Sequence, residues 1–255
     1  MGDGLKVIIA GAGPGEPWLS PSCLPGILAT ADVVLYDALI DESLLKYAKD
    51  AELIYVGKRS GRHSMSQEEI NSLLIKLAKQ GKVVVRLKGG DPFVLGRGEE
   101  ECEALLKEGI PCEVIPAPTS ATAVPACVGI PVTRRNLANT FAVATGRAAE
   151  GSERPKYGDM LKVVDTLVVL MGVGKVKEIV EDVLTSGNPP AAAIERGCTK
   201  AQRVVLGRAS KLPELMERYE IEPPAVLVFG KVVKWAYDAG LVRNVVGVDE
   251  AWSRS

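Results

Sequence analysis

Four short stretches of the chain gather residues whose types and spacing could do chemistry. In RLKGGDPFVLGRGEEE, residues 86–101, an apolar run at Val83–Val85 empties into two glycines, an aspartate, a proline, an arginine and three glutamates. Gly89 and Gly90 leave the backbone bare, so a ligand could lie against it while Asp91 accepts hydrogen bonds from hydroxyls or an ammonium. A plain tight turn set by Pro92 is the alternative. Arg97 and Glu100 stand three apart at the start of a helical pattern and can face the same side. Glu99 and Glu101 read as the solvated face of that helix. GAGPGEP (11–17) is a second bare turn, and Asp37 closes the strand VVLYD. KRSGRHS puts Lys58, Arg59, Arg62 and His63 on one loop, where arginine forks suit carboxylates and a merely solvated loop is the other reading.

The elements that must position these residues are legible from periodicity. KVIIAG (6–11), ADVVLYD (31–37), ELIYVG (52–57), KVVVRLKG and IPCEVIP (110–116) read as strands. They alternate with helical patterns at 19–31, 42–48, 67–81 and EEECEALLKEG, with Gly81 placed to stop the third. Short strands alternating with helices predict a largely parallel, helix-covered sheet. Ligands of such sheets bind at the carboxyl ends of strands, which is where GAGPG, Asp37 and GGDPF fall. PAPTSATAVPACVGIP (116–131) breaks the rhythm as a turn and short helix between two halves. Strands are expected again at 139–146, 165–172 and 190–197, with a polar loop AAEGSERPKYGD between the first two. A strand, turn and helix follow in AQRVVLGRASKLPELMERY, and a last buried strand in PAVLVFGKVV (224–233). The expected domains are 1–116, an interdomain segment 117–136, and 137–255.

GAGPGEP also invites a dinucleotide-binding reading, with Asp37 as the ribose-binding acid. Glu16 stands where that fingerprint needs its third glycine, and Pro14 removes a backbone donor, so the reading fails.

The chain of 255 residues is 47% hydrophobic, with 31 basic and 32 acidic residues and a formal net charge of −1. No overall field recruits nucleic acid or anionic membrane. Five scattered cysteines without a CxxC pair and one histidine argue against a zinc site or disulfide framework, and for buried thiols in a reducing compartment. No window is apolar enough to span a membrane, and the N-terminus enters a strand without a signal-peptide pattern. A cytoplasmic protein is expected.

The segments GAGPGEP, ADVVLYDALI, YVGKRSGRHSMSQEEIN, VVRLKGGDPFVLGRGEEE, TSATAVPACVGIPVTRR and ERGCTKAQR, in that order over nearly the whole chain, resemble the uroporphyrinogen-III C-methyltransferases. The resemblance implies an α/β fold of two α/β domains of the tetrapyrrole methylase type, a cofactor cleft between them, and a homodimer. It implies S-adenosyl-L-methionine as methyl donor, S-adenosyl-L-homocysteine as product, and methylation of C-2 and C-7 of uroporphyrinogen III to give precorrin-2 for sirohaem or cobalamin. A relative acting on a later corrinoid or on a modified protein histidine, and a nonenzymatic tetrapyrrole or adenosyl-ligand binder, are the rival readings.

By motif, the resemblance places Pro14, Gly89, Gly90, Asp91, Val94, Thr119, Ser120, Met171, Gly197 and Ala225 against the cofactor. Asp37 matches a proton acceptor and Lys58 a proton donor, with a turn aspartate and a carboxylate-binding lysine as the plainer alternatives. Arg97 would bind a propionate or influence proton removal, oriented by Glu100, unless the two form an ordinary surface ion pair. Arg59, Arg62, His63 and Arg135 would meet the substrate's eight carboxylates. The chain departs from the family in Pro116–Ala117–Pro118, where Pro-Gly is usual, in Gly98–Glu99 for Gly-Gly, and in Arg134 for a histidine.

Overall fold

The structure, a computed structural model, describes residues 6–57, 65–148 and 151–253. It divides into two units, Met1–Thr119 and Ser120–Ser255. In the first, β1 (Lys6–Gly11), β2 (Val33–Tyr36), β3 (Glu52–Tyr55), β4 (Val83–Lys88) and β5 (Cys112–Ile115) form a sheet in the order β3-β2-β4-β1-β5. Every pairing in it is parallel. The helices are α1 (Leu24–Ala29), α2 (Gln67–Lys79) and α3 (Gly98–Lys107). Residues Glu42–Tyr47 form a 3-10 helix.

Side chains alternate between the two faces of a strand, and both faces are covered here. Val7, Ile9, Val33, Leu35 and Val84 pack on Ile70, Leu74 and Leu77 of α2 and Leu105 of α3. Ile8, Ala10, Val34, Val85 and Leu87 pack on Leu24 and Leu28 of α1. Strands buried on both sides read as unbroken apolar runs, which is why their sequence pattern is so plain. A capping box starts α2: Ser66 Oγ accepts from the Glu69 amide at 3.2 Å, and the Ser66 amide donates to Glu69 Oε2 at 2.6 Å. Gly81, with φ +79°, lies just past its end.

In the second unit the elements run α4 (Ser120–Cys127), β6 (Phe141–Thr145), α5 (Tyr157–Leu161), β7 (Thr166–Leu170), α6 (Val176–Val183), β8 (Pro190–Glu195) and β9 (Arg203–Arg208). They continue through α7 (Leu212–Arg218), β10 (Ala225–Gly230), α8 (Lys231–Asp238) and β11 (Val245–Val248). The sheet order is β11-β9-β8-β10-β7-β6.

Three expectations need correction in this unit. The sheet is mixed, because β10 runs antiparallel to β7 and β8, and β8 runs antiparallel to β9. The short connection 196–202 explains the second case, since a parallel pair needs a crossover of a dozen residues or more. The polar loop before β7 holds α5, whose Tyr157 is buried and donates its hydroxyl to the Thr145 carbonyl at 2.8 Å. The strand expected over 224–233 stops at Gly230, where φ is +150°, and Val232 and Val233 belong to a helix. Nor is it the last strand, since β11 follows.

The cysteine reading is also corrected. Cys102 bonds to Cys112 and Cys127 to Cys198, with Cα separations of 5.5 and 5.4 Å, within the usual span of a disulfide. Cys23 is a free, exposed thiol. None of the described helices is long and apolar enough to cross a membrane.

Candidate active site

Because β1, β2 and β4 are parallel, the residues after Gly11, Tyr36 and Lys88 leave the first sheet at one edge. There the two bare turns meet. The Gly13 amide donates to the Gly90 carbonyl at 3.3 Å, the Gly90 amide donates back to Gly13 at 3.0 Å, and Ala12 donates to Lys88 at 2.8 Å. Gly13 and Gly90 hold φ at +73° and +67°, conformations that side chains resist. A Cβ on Gly13 would stand 2.6 Å from the Leu19 carbonyl oxygen. Pro14 follows Gly13 in this joined loop and is buried.

Asp91 fixes the second turn from within. Its Oδ1 accepts from the Phe93 amide at 2.9 Å and its Oδ2 from the Ala117 amide at 3.1 Å. One lone pair on each oxygen is left for a ligand. Val94 is half-buried. Beyond it the backbone turns left-handed at Leu95 and Arg97, with φ +54° and +61°. Left-handed non-glycine residues are uncommon and cluster at functional sites. Arg97 meets Glu100 through both fork nitrogens, Nε to Oε1 at 2.8 Å and Nη2 to Oε2 at 2.7 Å, with about half of each side chain still exposed. The hydrogen bond with Glu100 raises the guanidinium pKa and, read from the other side, lowers that of the carboxyl.

Under this edge lies a charged cluster that the sequence reading did not assemble. Leu35 of β2 is registered with Arg86 of β4, so Asp37, Arg86 and Lys88 fall on the sheet face that α3 covers. Arg86, only 2% exposed, donates from Nη2 to Asp37 Oδ1 at 2.7 Å and from Nε to Glu101 Oε1 at 3.0 Å. Its Nη1 donates to the Leu87 carbonyl at 3.1 Å. Glu101 Oε1 also accepts from Lys88 Nζ at 3.1 Å and from Gln67 Nε2 at 3.3 Å. Glu101 is fully buried, which corrects its assignment to the solvated face of α3. The signal was present: residues 98, 101, 102 and 105 are the buried stripe of α3, at the spacing of one helical face. Two cations at alternate positions of a central apolar strand were the other clue.

In the second unit, Ser120 opens α4. Met171 follows β7 with φ +57° and is half exposed. Gly197 follows β8 between two left-handed residues, Arg196 and Cys198, and a Cβ there would meet Val124 Cγ1 of α4 at 2.3 Å. Ala225 begins β10 opposite Glu195. The strand directions put Met171, Gly197 and Ala225 at one end of the second sheet. A cavity of about 710 Å³ lined by Arg134, Asp165, Arg208, Lys231 and Trp235 opens at the other end and holds none of the expected cofactor residues. Arg135 is exposed, and Arg134, which donates to its carbonyl, stacks 4.3 Å from the Trp235 ring centre. Thr119 closes the first unit, half-buried. Lys58, Arg59, Arg62 and His63 lie outside the described residues.

Residues 6–213 match the tetrapyrrole (corrin/porphyrin) methylases. The chain is 51% identical to the uroporphyrinogen-III C-methyltransferase of Methanocaldococcus jannaschii, over 89% of this chain and 96% of that protein. It is 42% identical to the sirohaem synthase of Pseudomonas entomophila, over 91% of this chain but only 51% of that longer protein. Among solved structures, the uroporphyrin-III C-methyltransferase of Thermus thermophilus complexed with S-adenosylhomocysteine is similar with a TM-score of 0.77 and 41% identity, over 90% of this chain and 99% of that one. A cobalt precorrin-4 methyltransferase superposes as well, with a TM-score of 0.79, at 26% identity. With the paired glycine loops in place and the similarity running over both units, the chain belongs to the tetrapyrrole methylases.

Proposed function

We propose that the chain transfers methyl groups from S-adenosyl-L-methionine to C-2 and C-7 of uroporphyrinogen III, giving precorrin-2 for sirohaem or cobalamin synthesis. The observation that carries this reading is the near full-length similarity to the Methanocaldococcus jannaschii enzyme. The fold alone does not separate substrates, because the precorrin-4 enzyme superposes equally well; the gap in identity does.

The residues present fit the donor. The backbone at Gly89–Gly90 is bare and Asp91 keeps lone pairs for a hydroxyl or ammonium; Pro14, Val94, Thr119, Ser120, Met171, Gly197 and Ala225 are the further contacts that the resemblance assigns. When bound, the donor supplies a methyl already activated on a sulfonium. The protein's task is then to hold an electron-rich pyrrole carbon in line and exclude water, positioning worth roughly 7–11 kcal/mol in favourable cases. Asp37 accepts the ring proton once the methyl has arrived, and Lys58 is the proton donor. Arg97, held by Glu100, binds a propionate, and Arg59, Arg62, His63 and Arg135 meet other carboxylates. Trp18, Leu39, Phe93 and Leu95 are exposed on loops following β1, β2 and β4, and offer apolar surface to a macrocycle with a charged rim. The chain acts in the cytoplasm as a homodimer.

A panel of tetrapyrroles tests the substrate. Uroporphyrinogen III should be the best acceptor, with S-adenosylhomocysteine formed only when it is present. No turnover of it beside turnover of a later corrinoid would remove the reading.

A further inference from the structure

We infer that Arg86 is a positioning residue: it sets the direction of the Asp37 carboxylate, and Glu101 in turn fixes Arg86. The inference rests on the reading of Asp37 as proton acceptor and adds to it the device that aims that group.

The geometry argues for one task. An arginine in the middle of a buried central strand is costly to desolvate, and its presence demands partners for the whole fork. Nε goes to Glu101 and Nη1 to the Leu87 carbonyl, both inside the sheet and helix layer. The guanidinium is therefore clamped on two sides, and the remaining nitrogen, Nη2, reaches Asp37 Oδ1 at 2.7 Å. Asp37 is the member of the cluster that meets the outside, with 28% of its side chain exposed against 2% for Arg86 and none for Glu101. Holding Oδ1 from below leaves Oδ2 as the oxygen that a ring proton can reach, and among the described residues nothing donates to Oδ2. Lys88 shares Glu101 but does not touch Asp37, so the link to the edge runs through Arg86 alone among the described residues.

The test is a double-mutant cycle on Arg86→Lys and Asp37→Asn, read as kcat and as S-adenosylhomocysteine affinity by calorimetry. A lysine keeps the charge but cannot span Asp37 and Glu101 together. Arg86→Lys is expected to lower kcat about 100-fold, the scale of a small misplacement of a reacting group, with the affinity for S-adenosylhomocysteine unchanged. In the Asp37→Asn background the same change should cost nothing further. An equal loss in both backgrounds shows that Arg86 acts independently of Asp37 and overturns the inference. Asp37→Asn alone turning over at the wild-type rate would instead remove Asp37 as acceptor, and the inference with it. If Arg86→Lys fails to bind S-adenosylhomocysteine, Glu101→Gln loosens the same anchor while keeping the shape of the side chain and an oxygen that can accept from Arg86. It is expected to lower kcat about 10-fold, again only while Asp37 is present, and loss in both backgrounds overturns the inference equally.

Discussion

Gly13 and Gly90 each donate a backbone hydrogen bond to the other, at 3.3 and 3.0 Å, and so fuse the turns that follow β1 and β4. Two loops distant in sequence thereby become one backbone surface at the carboxyl edge of the first sheet. Neither residue can carry a side chain there without strain, and the contact explains why both turns are rich in glycine.

Gly13→Ala should therefore destabilise the protein. A left-handed residue with a Cβ costs about 1–2 kcal/mol, and the contact of 2.6 Å with the Leu19 carbonyl adds to it. Gly26, in the middle of α1 with open space around it, is the contrast: Gly26→Ala should stabilise by about 0.5–1 kcal/mol. Thermal melts of the two variants should shift in opposite directions. Only Gly13→Ala should weaken binding of S-adenosylhomocysteine.

Glu101→Ala would leave Arg86 and Lys88 buried without their shared carboxylate. Removing one partner of a buried ion pair typically costs about 3–5 kcal/mol. Glu99→Ala, two residues earlier and exposed, should change stability by less than about 0.5 kcal/mol. Urea unfolding distinguishes them, and equal effects would mean that the cluster is not the buried unit described.

The contrast between Glu99 and Glu101 shows where the sequence was transparent and where it was not. Strands β1, β2 and β4 were legible because burial on both faces writes them as apolar runs. EEE, by contrast, looks uniformly solvated until the helical period is laid over it and Glu101 falls in line with Cys102 and Leu105. The helix α5 was invisible because tertiary contacts of Tyr157 and Gly158, the latter donating to Asp182 at 3.2 Å, hold a polar segment in place. The apolar run crossing Gly230 could not say where strand became helix, and β11 has an exposed edge and a register shift at Gly247. Left-handed backbone at Arg97, Met171 and Arg196 leaves no mark when the residue is not glycine. The pairing of four cysteines is a property of the fold alone.

Lys88 should contribute a rise of stability with pH on the alkaline side. Burial, and then the charge of Arg86, hold the Lys88 pKa below its ordinary 10.5, with Glu101 and Asp37 opposing. Between that lowered value and 10.5 the unfolded chain binds a proton that the native protein does not, so unfolding becomes less favourable as pH increases through the window. Lys88→Met should flatten the rise. Parallel profiles for the two proteins, from urea unfolding at a series of pH values, would contradict this.

The disulfide between Cys127 and Cys198 closes a loop of 71 residues and ties the end of α4 to the turn at Gly197. Chain entropy assigns such a cross-link about 4 kcal/mol, and the bond between Cys102 and Cys112, ten residues apart, about 3 kcal/mol. Reductant should lower the melting temperature. Without reductant, alkylation of the folded protein should label Cys23 alone; labelling of all five cysteines would contradict both bonds.

The central claim is methyl transfer to a tetrapyrrole at the edge where Gly13 meets Gly90. Its most direct test is to incubate the purified chain with isotopically labelled S-adenosylmethionine and uroporphyrinogen III under reducing, anaerobic conditions and weigh the tetrapyrrole. The account predicts a product heavier by two labelled methyl groups. A tetrapyrrole recovered at its starting mass, from protein that binds S-adenosylhomocysteine, would contradict it.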